Sequence, residues 1–140
     1  MASTRRAVLT VAGAVAVSWI GFLVHNAADL PVRSLVGPET LVPSVVYLAL
    51  LGGWLLPPLR RPVAPLLYGW GWLNAIGGGL LSVLPLPWWP YRPEQTVYHY
   101  AMHAVYAALQ VPLLVSLTNK LRGASASQTA AVQPRNGRAF

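Results

Sequence analysis

The chain reads as an all-α integral membrane protein, with four transmembrane helices packed as an antiparallel bundle, and three observations predict this. Hydrophobic residues make up 55% of the 140 positions and charged residues only 9%, against the roughly 25% charged share of an average soluble domain. The apolar residues gather into four runs, about 7–24, 41–56, 63–84 and 97–117, each near the ~20 residues a helix needs to cross a bilayer. Basic residues collect in alternate connections, as a multi-pass topology requires.

The first run follows a short segment, 1–6, that carries Arg5 and Arg6. Asn26-Ala27-Ala28 has the small residues of a signal cleavage site, but the apolar stretch exceeds the ~7–15 residues of a signal peptide core, so it is expected to stay as a span. The second run is short and ends at Pro57-Pro58, in a tight turn that also holds Arg60, Arg61 and Pro62. Pro65 is expected in the first turn of the third helix, where a missing N–H costs nothing. That helix carries Gly71, Ala75 and Gly79 at four-residue intervals, a small-residue face that lets helices approach closely, with Gly52 and Gly53 of the second run as its expected partner. The spacing serves helix packing within the chain or a dimer contact.

The connection before the fourth run, 84–94, holds four prolines with Trp88, Trp89 and Tyr91. It is expected to lie along the membrane interface rather than to form a helix. Lys120 and Arg122 follow the fourth run, which contains Pro112. The remaining residues, 123–140, lack apolar periodicity and are expected to form a disordered cytoplasmic tail after the 7–122 transmembrane domain. Arg5, Arg6, Arg60, Arg61, Lys120 and Arg122 fall on one side, while Asp29, Glu39 and Glu94 fall on the other with only Arg33 and Arg92. Both termini are therefore expected in the cytoplasm and the protein in the inner membrane.

A net charge of +7 raises nucleic acid as a partner, but the basic residues are scattered in short loops and no nucleic-acid motif is present. The absence of cysteine excludes disulfides, thiolate metal sites and thiol catalysis. Lys120 is the only lysine, and Ala, Gly, Val and Pro abound, a bias of high-GC bacterial genomes.

The polar residues of the spans carry the functional argument. His99, His103, Tyr106 and Gln110 follow one another at intervals of four, three and four, which puts them on one helix face. Polar groups are costly in hydrocarbon, so this stripe should face the interior, and ionisable residues there are functional candidates. A rise of 1.5 Å per residue puts His99 about 3 Å and His103 about 9 Å below the outer boundary. The same count brings His25 level with His99, sets Ser18 and Tyr47 near His103, and places Asn74 beside Tyr106 near mid-membrane, with Gln110 deeper. Ser44 shares a face with Tyr47. The expected pocket opens outward and is lined by Tyr106, Gln110, Asn74, Tyr47, Ser44 and Ser18.

Several chemistries fit this set. His99 and His103 at i and i+4, with His25 from the first helix, can present three imidazoles to a zinc or copper ion. Asp29, Glu94 or Glu39 would then orient an imidazole. The competing structural reading has His103 hydrogen-bonded to Tyr47 or Asn74. A haem b held between His25 and His99 or His103 is a further possibility, the glycines of the third helix giving the porphyrin room. No span contains Asp, Glu, Lys or Arg, which weighs against a proton-coupled antiporter. Neither a Gly-x-Ser-x-Gly elbow nor a phosphate loop occurs. The expected function is a binding or accessory membrane protein for a metal ion or small polar ligand, in a homo-oligomer or a larger complex. The alternatives are a metal-dependent enzyme acting on a lipid or quinone-like substrate, and a haem b electron carrier.

Overall fold

Proline, glycine and arginine set the helix boundaries. Gly37 is extended ahead of Pro38, which opens a helix whose first turn also holds Glu39; proline is suited to the first helical position because its missing N–H would have had no partner. The same helix stops at Leu55, since Leu56 precedes Pro57 and is forced into an extended conformation. Two carbonyls left at that end are covered by one side chain: Arg60 donates from Nε to Trp54 O (3.0 Å) and from Nη2 to Leu55 O (3.1 Å).

The computed structural model describes residues 2–29, 35–89 and 92–132, and these are helical with no strand. The elements are α1 (Ala2–Asp29), α2 (Pro38–Leu55), a 3-10 turn (Pro57–Leu59), α3 (Arg60–Trp72), a π-helical segment (Leu73–Leu81) and α4 (Val97–Val132). Three stretches, Thr4–Ala28, Pro38–Leu55 and Val97–Gly123, are long and apolar enough to cross a membrane. The third expected span is helical over 60–81 but passes from α to π at Leu73. Glycine at 77, 78 and 79 accounts for this: it has little preference for the α-helix, and the wider turn is closed by Ser82 N to Gly77 O at 3.0 Å.

Several boundaries differ from the sequence reading, with α2 starting at Pro38 rather than 41 and the third helical stretch ending at Leu81 rather than 84. Helix α1 continues to Asp29 rather than ending near residue 24. Helix α3 begins at Arg60, so Pro65 lies inside it and Pro62 occupies the first turn. Helix α4 runs on to Val132, where a disordered tail is expected from 123; Ala-rich sequence with no proline before Pro134 sustains the helix. Residues 133–140, like Arg33 and Tyr91, lie outside the described residues.

Helix α1 packs most extensively on α4, α4 also packs on α3 and the π segment, and α2 packs on α1 and α3. No comparable packing joins α2 to the π segment. Tyr47, Trp54, Leu67, Leu113, Leu117 and Val15 are fully buried. So are Ser18 and Gln110, while Ile20, Leu48, Leu66, Leu80 and Val111 are exposed. Apolar side chains outside and hydrogen-bonded polar ones inside suit an apolar surrounding.

The small-residue face meets α4, not Gly52 and Gly53. A Cβ at Gly79 would lie 2.7 Å from Ala107 Cβ and 3.2 Å from its Cα, and one at Gly71 would lie 3.0 Å from Leu114 Cδ2. Ala75 is buried between them. Gly53 abuts Val63 instead, and Gly52 meets open space. Gly79→Ala should therefore cost about 1–3 kcal/mol in detergent unfolding titrations, while Gly52→Ala should be neutral or stabilising. Equal stability of the two variants would disprove the close contact at Gly79.

Candidate functional site

Each imidazole is placed by its position near a helix end. His25 lies one turn before the end of α1 and His103 in the second turn of α4, and the packing of α1 on α4 brings them level. Their Nε2 atoms are 3.1 Å apart, with the rings edge-on at 4.3 Å. His99, half-buried one turn above His103, stands edge-on to it at 4.4 Å. The three imidazoles form a row, with Tyr106 tilted against His25 at 4.9 Å.

Both ends of the inner pair are fixed by acceptors. Asn26 donates from Nδ2 to Thr40 Oγ1 at 2.8 Å, which turns its Oδ1 toward His25 Nδ1 at 3.3 Å. His103 Nδ1 lies 3.0 Å from the Gly78 carbonyl and 3.4 Å from Ser82 Oγ. The Ser82 hydroxyl itself donates to that same carbonyl at 2.5 Å. His103 Nδ1 faces a carbonyl acceptor and so carries a proton, and the two Nε2 atoms share a hydrogen bond.

Deeper in the molecule lies a second cluster. Ser18 Oγ and Tyr47 Oη are 2.8 Å apart, Ser18 donates to Gln110 Oε1, and Tyr47 reaches the same oxygen at 3.3 Å. Gln110 Nε2 returns to the Ser18 and Tyr106 carbonyls at 3.4 Å. Between the two clusters, Tyr106 donates to Asn74 Oδ1, and Asn74 Nδ2 donates to Trp70 O at 2.7 Å, where the α-helix gives way to the π segment. Ser44 accepts from Trp19 Nε1 at 3.1 Å and joins neither cluster.

A cavity of about 320 Å³ adjoins the pair, lined by His25, Asn26, Trp70, Asn74, Ser82 and Tyr106 among others. It also touches Pro43 of α2 and Leu73 and Gly77 of the π segment, the two elements that lack mutual packing. The Trp70 indole N–H is buried without a hydrogen-bond partner. Trp70 packs edge-on to Tyr47 and not toward lipid, whereas Trp72 is exposed.

Sequence reasoning put Ser18 and Tyr47 level with His103, but they meet Gln110, because α1 ends later and α2 begins earlier than expected, so their residues sit deeper than counted. Asn26 was missed for the first of these reasons: continuing the first helix to Asp29 would have placed it beside His25. Thr40 shares a helix face with Ser44 and Tyr47 but was not assigned to the pocket, and Ser82 was not singled out. Glu39 and Glu94 are exposed, and the acceptors for His25 and His103 are an amide oxygen and a carbonyl instead. The Asp29 carboxylate lies outside the described residues.

Among the described residues no group of three His, Cys, Asp or Glu side chains can hold a metal ion. The inner pair, His25 and His103, does not hold a haem as placed. An iron between two axial imidazoles would separate their Nε2 atoms by two bonds of roughly 2 Å with a porphyrin plane between, whereas these nitrogens touch directly. The space at Gly78 that would admit a porphyrin is filled by Tyr106, whose Cε1 lies 2.8 Å from a Cβ built there. Comparisons with protein-family models, with curated proteins and with solved structures find no match for the chain.

Two outcomes follow. Nitrogen-15 NMR on histidine-labelled protein should show coupling between the two Nε2 atoms across their hydrogen bond; loss of that coupling would refute the contact. Gln110→Leu should lower stability by about 0.6–1.7 kcal/mol, because it strands the Ser18 and Tyr47 hydroxyls, and Ser44→Ala should cost less in the same unfolding assay.

Proposed function

We propose that this is a multi-pass protein of the inner membrane, with both termini in the cytoplasm, whose outward-opening polar pocket binds a small polar ligand. The observation that carries the reading is the convergence of His25, Asn26, Asn74, Ser82 and Tyr106 on one cavity within two or three turns of the helix ends expected at the outer face. The lining mixes amide, hydroxyl, imidazole and indole groups with apolar walls at Phe22, Pro43 and Leu73, which suits a small polar ligand. It includes no Asp, Glu, Lys or Arg, and His103 Nδ1, 3.4 Å from the Ser82 hydroxyl, is engaged by the Gly78 carbonyl rather than free to act as a base, which favours binding over catalysis. Gly13, Gly52 and Gly69 meet open space, leaving room for a neighbouring helix and supporting a role as a subunit of a homo-oligomer or a larger membrane complex.

A ligand carried on a lipid or quinone-like tail is favoured by a further feature. The cavity lies where α2 and the π segment are not packed together, and exposed Leu73 and Ile76 flank that gap. A head group can enter sideways while its tail stays among acyl chains.

Because the chain has no cysteine, single cysteines test this directly. Ser82→Cys in sealed cells should react with a small membrane-impermeant thiosulfonate added outside, and Arg122→Cys should react only after the inner face is opened. The reverse pattern would sink both the orientation and the outward pocket. Stoichiometric zinc or copper on the purified protein would restore the metal reading in place of an organic ligand.

A further inference from the structure

A second cavity, of about 370 Å³, lies at the opposite end of the molecule, lined by Thr4, Arg5, Val8, Leu9 and Arg60. It occupies the gap between α1 and α3, two helices that do not pack closely. Thr4 and Arg5 belong to the first turn of α1, and Arg60 opens α3, so the N-terminal turns of two helices meet there, each with its partial positive charge. Arg60 is fixed by its bonds to Trp54 O and Leu55 O. Trp54 in turn donates from Nε1 to Val8 O at 3.1 Å, tying the end of α2 to the cavity wall. Lys120 Nζ lies 5.1 Å from the Trp54 ring, adding a third cation nearby.

We propose that this cavity binds the phosphate of an anionic phospholipid. Charge complementarity identifies the occupant: Glu39 at the start of α2 and Glu94 before α4 belong to the other end of the helices, so among the described residues no carboxylate side chain answers Arg5 and Arg60. The rest of the lining distinguishes a lipid from a soluble phosphate. Val8 forms an apolar floor and Leu9 is 57% exposed beside it, one turn deeper than Arg5, where acyl chains would continue from the head group. Basic pockets between spans on the cytoplasmic side are suited to such lipids. The inference stands apart from the histidine pocket and shares with it only the membrane orientation.

Arg60→Gln would also strip the carbonyls of α2, so Arg5 carries the test. Full-length delipidated protein in detergent is titrated with dioleoylphosphatidylglycerol or dioleoylphosphatidylcholine, and bound lipid is counted by native mass spectrometry. The glycerol lipid should bind at least about tenfold more tightly, and Arg5→Gln should weaken it about fivefold. Arg122→Gln, the same charge change outside the cavity, should leave it within about twofold. Equal losses in the two variants would reduce the effect to a diffuse positive field and overturn the site. Displacement of the lipid by glycerol 3-phosphate at equal concentration would make the occupant a soluble phosphate and overturn it as well.

Discussion

The structure depends on pairing its interior polar side chains with one another from within the helices. The buried polar side chains among the described residues are Ser18, Asn26, Thr40, Asn74, His103 and Gln110, so pairing relies on hydroxyls, amides, imidazoles and carbonyls. In an apolar surrounding an orphaned group of this kind costs several kcal/mol, and each helix contributes to the solution. Helix α1 gives Ser18, His25 and Asn26, α2 gives Thr40 and Tyr47, the π segment gives Asn74 and the Gly78 carbonyl, and α4 gives His103, Tyr106 and Gln110. Moving one helix along its axis by a turn would break bonds to two or three others. The polar interior therefore sets the register that apolar packing alone leaves loose.

The π segment is where packing and chemistry meet. Its glycines let α4 approach until Tyr106 and Ala107 touch backbone, and that approach delivers His103 to the Gly78 carbonyl. The same widening of the turn is bordered by Asn74, whose amide takes the Trp70 carbonyl at the transition while its oxygen accepts from Tyr106. Local π-helix within an α-helix is rare and recurs at functional sites. Here it places a backbone acceptor where a carboxylate would stand in many histidine sites.

Much of this arrangement was legible in the sequence, and the failures have two causes. The stripe of His99, His103, Tyr106 and Gln110 follows from helical periodicity, and its inward direction follows from the cost of polar groups in hydrocarbon. Depth was harder to read. Hydropathy marks where a span leaves the hydrocarbon, whereas a helix ends where its backbone loses partners, and in α1 the two are separated by Asn26, Ala27, Ala28 and Asp29. That offset of about one turn was enough to assign Ser18 to the wrong histidine and to hide Asn26. The π segment was illegible for a different reason: three consecutive glycines permit a wider turn, but only the presence of α4 against them selects it.

The imidazole pair is surrounded by dipoles rather than carboxylates: the Asn26 amide at one end, the Gly78 carbonyl and Ser82 oxygen at the other, and the ring of Tyr106 beside His25. Asn26 and His25 line the same cavity, so the side chain that orients the imidazole is also one that a bound molecule would touch.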